Sequence, residues 1–296
     1  MKLALHVVDY TLPGGAATLG PDLAAVARAA EETGFAAIAV ADHLWQNPQI
    51  GGPEREMLEA YAVLAFLAAH TERVRLLTLA TAASYRAPAM LAKIVTTIDV
   101  LSGGRAELGV GAGHDAGEAV GLGLSLPPMR ERFEVLEETI QVCLRMWSGE
   151  HGDDRPFHGR HVRLERALNL PQSLSRPRPP LLVAGGGETR TLRLVARYAD
   201  ACGMYPTPDL PHKLDVLRRH CAAEGTDYDR IEKTAVFVVD LGADGPVPAR
   251  TDAALAGLRR QAALGIETAF VQVRPAASAD VVGELGRVLV PAAAAL

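Results

Sequence analysis

The sequence predicts an α/β protein, a (β/α)₈ TIM barrel with insertions, with residues 1–296 forming one domain. Three observations point there. A short apolar run, a loop of Gly, Asp or Ser, and an amphipathic segment recur eight times along the chain. Strict alternation of this kind argues for parallel strands joined by right-handed crossovers. The length of 296 residues matches a closed barrel, which typically takes about 250 residues. A doubly wound open sheet with a subdomain is the competing arrangement, and eight units fit closure better.

The elements follow in order. Leu3–Val8 is the first apolar run, and a helix from about Asp22 places Leu23, Val26, Ala27 and Ala30 on one face before stopping at Gly34. Ala36–Ala41 leads to a helix near Glu54–His70, and Val74–Thr81 to a helix near Pro88–Leu101 with proline at its start. Ala106–Gly111 is followed, after a loop, by a helix near Met129–Trp147. The rhythm lapses in an irregular insertion over about 149–180, where Phe157–Leu164 suggests a hairpin and Pro171–Pro180 an extended connector. It then resumes with Leu181–Ala184, Ala201–Tyr205, Ala235–Leu241 and Ala269–Val273, each followed by a helix, ending near Tyr198, Ala223, Leu264 and Val290.

Composition narrows the function classes. The chain is 49% hydrophobic and 22% charged with a formal net charge of -5, an ordinary soluble composition without the basic stripe a nucleic-acid binder needs. Three well-separated cysteines, Cys143, Cys202 and Cys221, suit neither a disulfide framework nor a zinc site, so a cytoplasmic, reducing compartment is expected. No signal-peptide core follows MKLALHVVDY, and Met57–Ala69 is too short to span a bilayer. Secretion, membrane insertion and nucleic acid are thus not expected.

In a barrel, chemistry gathers where the strands end. His6, Asp42-His43, Thr78-Leu79-Ala80-Thr81, the run Gly109–Gly113 with His114, Gly185–Arg190 and Met204-Tyr205 all fall at predicted strand ends. Histidine suits proton transfer near neutrality, which singles out His43 and then His114. No HxH or HExxH spacing occurs, so no metal is expected. No lysine falls at a strand end for a Schiff base, no GxSxG marks a serine nucleophile, and Cys202 has no histidine partner in view. The cluster Gly185-Gly186-Gly187-Glu188-Thr189-Arg190 opens into a helix, an arrangement suited to an anion, although a tight turn alone would also use such glycines. Tyr10, Trp45, Met57, Tyr61 and Tyr205 are candidates for a substrate pocket, with His6 beside them.

Several separated runs carry a family resemblance. Ser84–Lys93, Thr97–Arg105 followed by Glu107-Leu-Gly-Val-Gly-Ala-Gly113, Met129–Glu138, Pro180–Arg193 and Leu194–Asp200 resemble the luciferase-like monooxygenase superfamily, and the last three its deazaflavin branch, which uses coenzyme F420. The resemblance implies a barrel that holds FMN or a deazaflavin across its strand ends. It places Asp42 and His43 beside the reactive ring, with Asp42 available to orient His43. Thr78, Leu79, Ala80 and Thr81 match a bulge behind the ring that often contains a non-prolyl cis peptide, here between Leu79 and Ala80. Gly111, Ala112 and Gly113, with Gly185, Gly186, Gly187, Glu188, Thr189 and Arg190, match the part that contacts the cofactor's phosphate and side chain. Leu77, His114, Gly203 and His6 depart from common residues of the family, which implies a remodelled substrate side. The expected activity is hydride transfer between the deazaflavin C5 and an organic substrate, as F420H2-dependent reduction of an activated C=C or C=N bond, with His43, His114 and Asp42 as catalytic residues. An FMN-dependent monooxygenase and a non-catalytic flavin- or deazaflavin-binding protein are the alternatives. The partners expected are a small-molecule or natural-product substrate and a second copy of the chain, a homodimer.

Overall fold

Eight parallel strands close on themselves among the described residues, which are 1–242 and 247–296 of a computed structural model. They are β1 (Lys2–Val7), β2 (Ala37–Val40), β3 (Arg75–Thr78), β4 (Ala106–Gly111), β5 (Leu181–Ala184), β6 (Ala201–Met204), β7 (Glu232–Asp240) and β8 (Thr268–Arg274). Around the barrel the order is the chain order. β1 pairs with β8 in the register Ala4↔Phe270, and β3 meets β4 through Leu76↔Ala106 to shut the ring. The predicted (β/α)₈ barrel is the observed fold.

Helices surround the strands, and all but the short fourth one turn an apolar stripe towards them. They are α1 (Leu19–Glu32), α2 (Ala60–Ala68), α3 (Pro88–Leu101), α4 (Ala116–Gly121), α5 (Met129–Met146), α6 (Thr191–Tyr198), α7 (Leu210–Glu224), α8 (Val247–Ala263) and α9 (Ala279–Ala294). The shell between helices and strands is filled by Leu64, Leu91, Leu136, Ile140 and Leu217 among others, all fully buried; each such side chain contributes about 1.5–3 kcal/mol by leaving water. Inside the barrel, Ala4, Ala39, Leu77, Leu182, Ala201 and Phe270 pack as a separate cluster.

The elements differ from expectation in several places. The helix expected from Glu54 begins only at Ala60, where Glu59 caps it by accepting from the Ala62 amide at 2.7 Å. The preceding chain turns through Gly51 and Gly52, both at positive φ, a backbone that glycine adopts at no steric cost. The loop after β4 contains α4, which the apolar pattern did not reveal. The insertion over 149–180 does hold the expected hairpin, with Phe157–His158 antiparallel to Arg163–Leu164. Residues 170–171, 176–177 and 274–275 join through cis X–Pro bonds. Among the described residues, no helix is long and apolar enough to cross a membrane, and no group of His, Cys, Asp and Glu could hold a metal ion. The three cysteines are free and buried, and burial pushes the Cys202 thiol up to about 12, which removes it as a nucleophile.

Candidate active site

Small residues at the strand ends make the site. Ala41, Ala184, Gly111 and Gly203 face the barrel mouth where a packed barrel would carry branched side chains, and the space they leave is a cavity of about 550 Å³. That lies within the roughly 300–1,000 Å³ usual for small-molecule sites. Little room is left for larger residues: a Cβ on Gly111 would come 3.3 Å from the Ala184 carbonyl oxygen, and one on Gly203 would come 2.9 Å from the Leu182 side chain.

One wall is the bulge after β3. The peptide between Leu79 and Ala80 is cis, and both residues line the cavity. Thr78 and Thr81 stand behind the bulge, buried, and hold it from the rear. Thr81 Oγ1 donates to Thr78 Oγ1 at 3.0 Å, Thr78 donates to the Gly109 carbonyl at 2.8 Å, and Tyr61 Oη lies 2.6 Å from Thr81. Those two threonines and Tyr61 support the wall rather than form it.

His43 stands at the rim, and its partner is Glu118. Nδ1 of His43 lies 3.2 Å from Glu118 Oε2, and the same carboxylate accepts from the Leu44 amide at 2.5 Å, the Trp45 amide at 2.8 Å and Tyr85 Oη at 2.9 Å. Burial by itself would raise the Glu118 carboxyl, but the bonds from His43, Trp45, Leu44 and Tyr85 outweigh it and hold it at about 2. The hydrogen bond to this fixed anion in turn raises His43, against the opposing effect of its own burial. His114 packs edge-on to His43 with ring centroids 5.3 Å apart, and both line the cavity.

Asp42 also lines the cavity, but its carboxylate is turned to Arg86, which binds it through both nitrogens at 2.5 and 3.0 Å and also reaches Glu59. Arg86 lies over the Tyr61 ring at 4.6 Å. The expectation that Asp42 orients His43 is corrected accordingly: the Asp42 carboxylate is taken up by Arg86, and Glu118 is the hydrogen-bond partner of His43.

The glycine turns sit opposite. Gly111, Ala112 and Gly113 after β4 and Gly185, Gly186 and Gly187 after β5 line the cavity. Lys213 reaches the second turn from α7, close enough that a Cβ on Gly186 would come 3.1 Å from its Nζ. Glu188, Thr189 and Arg190 fall elsewhere. Glu188 pairs with His212, and Arg190 donates to the Arg130 carbonyl and covers the Phe133 ring. Thr189 and Arg190 line a neighbouring groove on α5 and α6. They lie in the turn just before α6, while Thr191 at the start of that helix lines the cavity.

Of the expected substrate residues, His6 and Tyr205 line the cavity. Tyr10 and Tyr61 are buried in the core, Trp45 packs over Gly121, and Met57 lies away from the cavity. Sequence reasoning missed Glu118, Tyr85, Arg86, Lys213, Gln272 and Arg274. Two signals were available: Asp115 three residues before Glu118, a helix-capping spacing, and Gln272 and Arg274, polar residues at strand period in an apolar run.

The family model for luciferase-like monooxygenases matches residues 7–269. An F420-dependent glucose-6-phosphate dehydrogenase from Nakamurella multipartita is 30% identical over 244 residues, covering 80% of this chain and 69% of that one. The crystal structure of the monooxygenase RslO1 from Streptomyces bottropensis superposes with a TM-score of 0.78 at 21% identity, covering 98% of both chains. An F420-dependent secondary alcohol dehydrogenase in complex with an F420–acetone adduct superposes with a TM-score of 0.78 at 16% identity, over 99% of this chain and 98% of that one. A closed barrel with a non-prolyl cis bulge behind an open mouth, matched by the family model over most of its length, makes this chain a member of the luciferase-like monooxygenase family.

Proposed function

We propose that the protein is an F420-dependent oxidoreductase that transfers a hydride between the deazaflavin C5 and a small organic molecule, in the direction of reducing an activated C=C or C=N bond. The observation that carries this reading is the His43–Glu118 pair at the rim of a cavity backed by the Leu79–Ala80 bulge. The Nakamurella multipartita relative, F420-dependent by its name, supports the choice of cofactor.

The residues present fit such a group. The bulge offers a broad wall for a flat ring, the two glycine turns let backbone amides approach an anionic tail, and Lys213 adds a positive charge beside Gly186. Bound there, the deazaflavin supplies the hydride, and the protein sets distance, orientation and proton supply. His43 holds the proton at the rim. Glu118 favours its charged form, which suits a donor to the carbon or nitrogen that becomes basic as the hydride arrives. Asp42, bound through both oxygens by Arg86, lines the same cavity.

The test is anaerobic turnover of reduced F420 with a panel of enones and imines, followed by return of the oxidised cofactor's absorbance. His43→Ala is expected to lower kcat by about 10²–10⁴-fold, the usual worth of a general acid, with F420 affinity unchanged. Oxygen uptake with FMN and no turnover with F420 would replace this reading with a flavin monooxygenase. Tight F420 binding with no turnover by any panel member would leave a binding protein.

A further inference from the structure

β1 and β8 stand across the barrel from β4 and β5, whose turns carry the glycine clusters. On that far side, His6, Phe270, Gln272 and Arg274 line the cavity, since alternate residues of a strand share one face. Three of them form a hydrogen-bond chain with only one possible polarity. Arg274 Nη2 lies 2.7 Å from Gln272 Oε1. A guanidinium only donates, so this end of the amide is its oxygen. The NH₂ end therefore faces His6 and donates to Nδ1 at 3.0 Å. With Nδ1 accepting, the neutral imidazole carries its proton on Nε2. That Nε2–H is buried and has no partner among the described residues, while the residue as a whole is 5% exposed. Burial, then the Arg274 charge, hold the imidazole down at about 3, so it stays neutral at working pH. A buried donor without an acceptor is costly, and native structures leave few of them without a purpose.

We infer that His6 is a specificity-determining residue, its Nε2–H serving as the donor to a neutral carbonyl or hydroxyl oxygen of the substrate on the side of the cavity away from the cofactor turns. Gln272 and Arg274 are positioning residues: they fix the tautomer and polarise the donor through the chain. The substrate class follows as a compound with one uncharged oxygen acceptor near its reacting bond, such as an enone. This inference rests on the proposed deazaflavin site, and cofactor loading is measured separately so that the two can fail independently.

The experiment uses ¹⁵N-histidine-labelled protein, with F420 loading followed by fluorescence in the same sample. Absence of loading would overturn the proposed function on which the assignment rests. Long-range imidazole spectra are expected to show His6 as the Nε2–H tautomer from about pH 5 to about 8. Cyclohex-2-enone is expected to move that proton's resonance, and cyclohexene to leave it in place. His6→Phe should weaken enone binding about fivefold to tenfold, the worth of one hydrogen bond, with F420 affinity unchanged, and His6→Asn should restore part of the loss. An Nδ1–H tautomer, an unmoved Nε2–H at high enone, or equal enone affinity in His6→Phe would each overturn the assignment. The wild-type spectra decide the matter even where a variant does not fold.

Discussion

Glu118 gathers four donors from two separate segments, and through them it decides what His43 can do. Its pH signature follows from the sign of its shift. Its carboxyl drops from an ordinary 4.5 to about 2 on folding. The stability it contributes is therefore present above about pH 4.5 and disappears as pH falls towards about 2. In thermal melts, wild type and Glu118→Gln should differ most near neutrality and converge in that acid window. His43 shifts the other way, so the charged form persists above pH 6.5. Glu118→Gln should move the alkaline limb of the kcat–pH profile to lower pH; an unmoved limb would mean that His43 is not the titrating group. Arg86 is the second residue-scale test. Arg86→Ala leaves the Asp42 carboxylate buried without its bidentate partner, a loss of about 3–5 kcal/mol for such pairs, readable as a fall in denaturation midpoint. Asp42, His43 and His114 were legible because histidines and carboxylates at strand ends are few. Their partners were not, because ion pairs across 44 or 75 residues leave no local trace.

The strands and long helices were legible from period and punctuation. Pro88 opens α3 where expected, and Met129 opens α5. The first helix starts earlier than expected, at Leu19, although Gly34 at positive φ does follow its end. α4 was missed because six residues are too few to display a helical apolar stripe. The start of α2 was misplaced because the apolar run opens at Met57, while the helix begins only at Ala60, behind its Glu59 cap. Between β3 and β4 the decisive residue is Gly109, for which a Cβ would fall 1.9 Å from the backbone oxygen of Thr78. Backbone cannot step aside as a side chain can. Gly109→Ala should lose stability at the upper end of the about 1–3 kcal/mol usual for overpacking, and should weaken cofactor binding with it, because Thr78 anchors the bulge through the Gly109 carbonyl. A variant with wild-type melting temperature and affinity would show that the bulge tolerates a shift.

At the scale of the molecule, closure was readable because eight strand–helix units leave no unpaired edge only if the last strand returns to the first. The cavity was not readable as a volume, since it depends on Ala and Gly from several strands meeting at one height. The resemblance supplied what periodicity could not, namely which tricyclic group such a mouth would take. Turnover, proton donation by His43 and the role given to His6 all presuppose that the mouth accepts a deazaflavin. Titrating the purified protein with F420 and with FMN, each followed by fluorescence and calorimetry, tests this directly. The account predicts saturable one-to-one binding of F420, weakened when Lys213 is replaced by Ala, and markedly weaker binding of FMN. Preferential binding of FMN, or no uptake of F420, would contradict it.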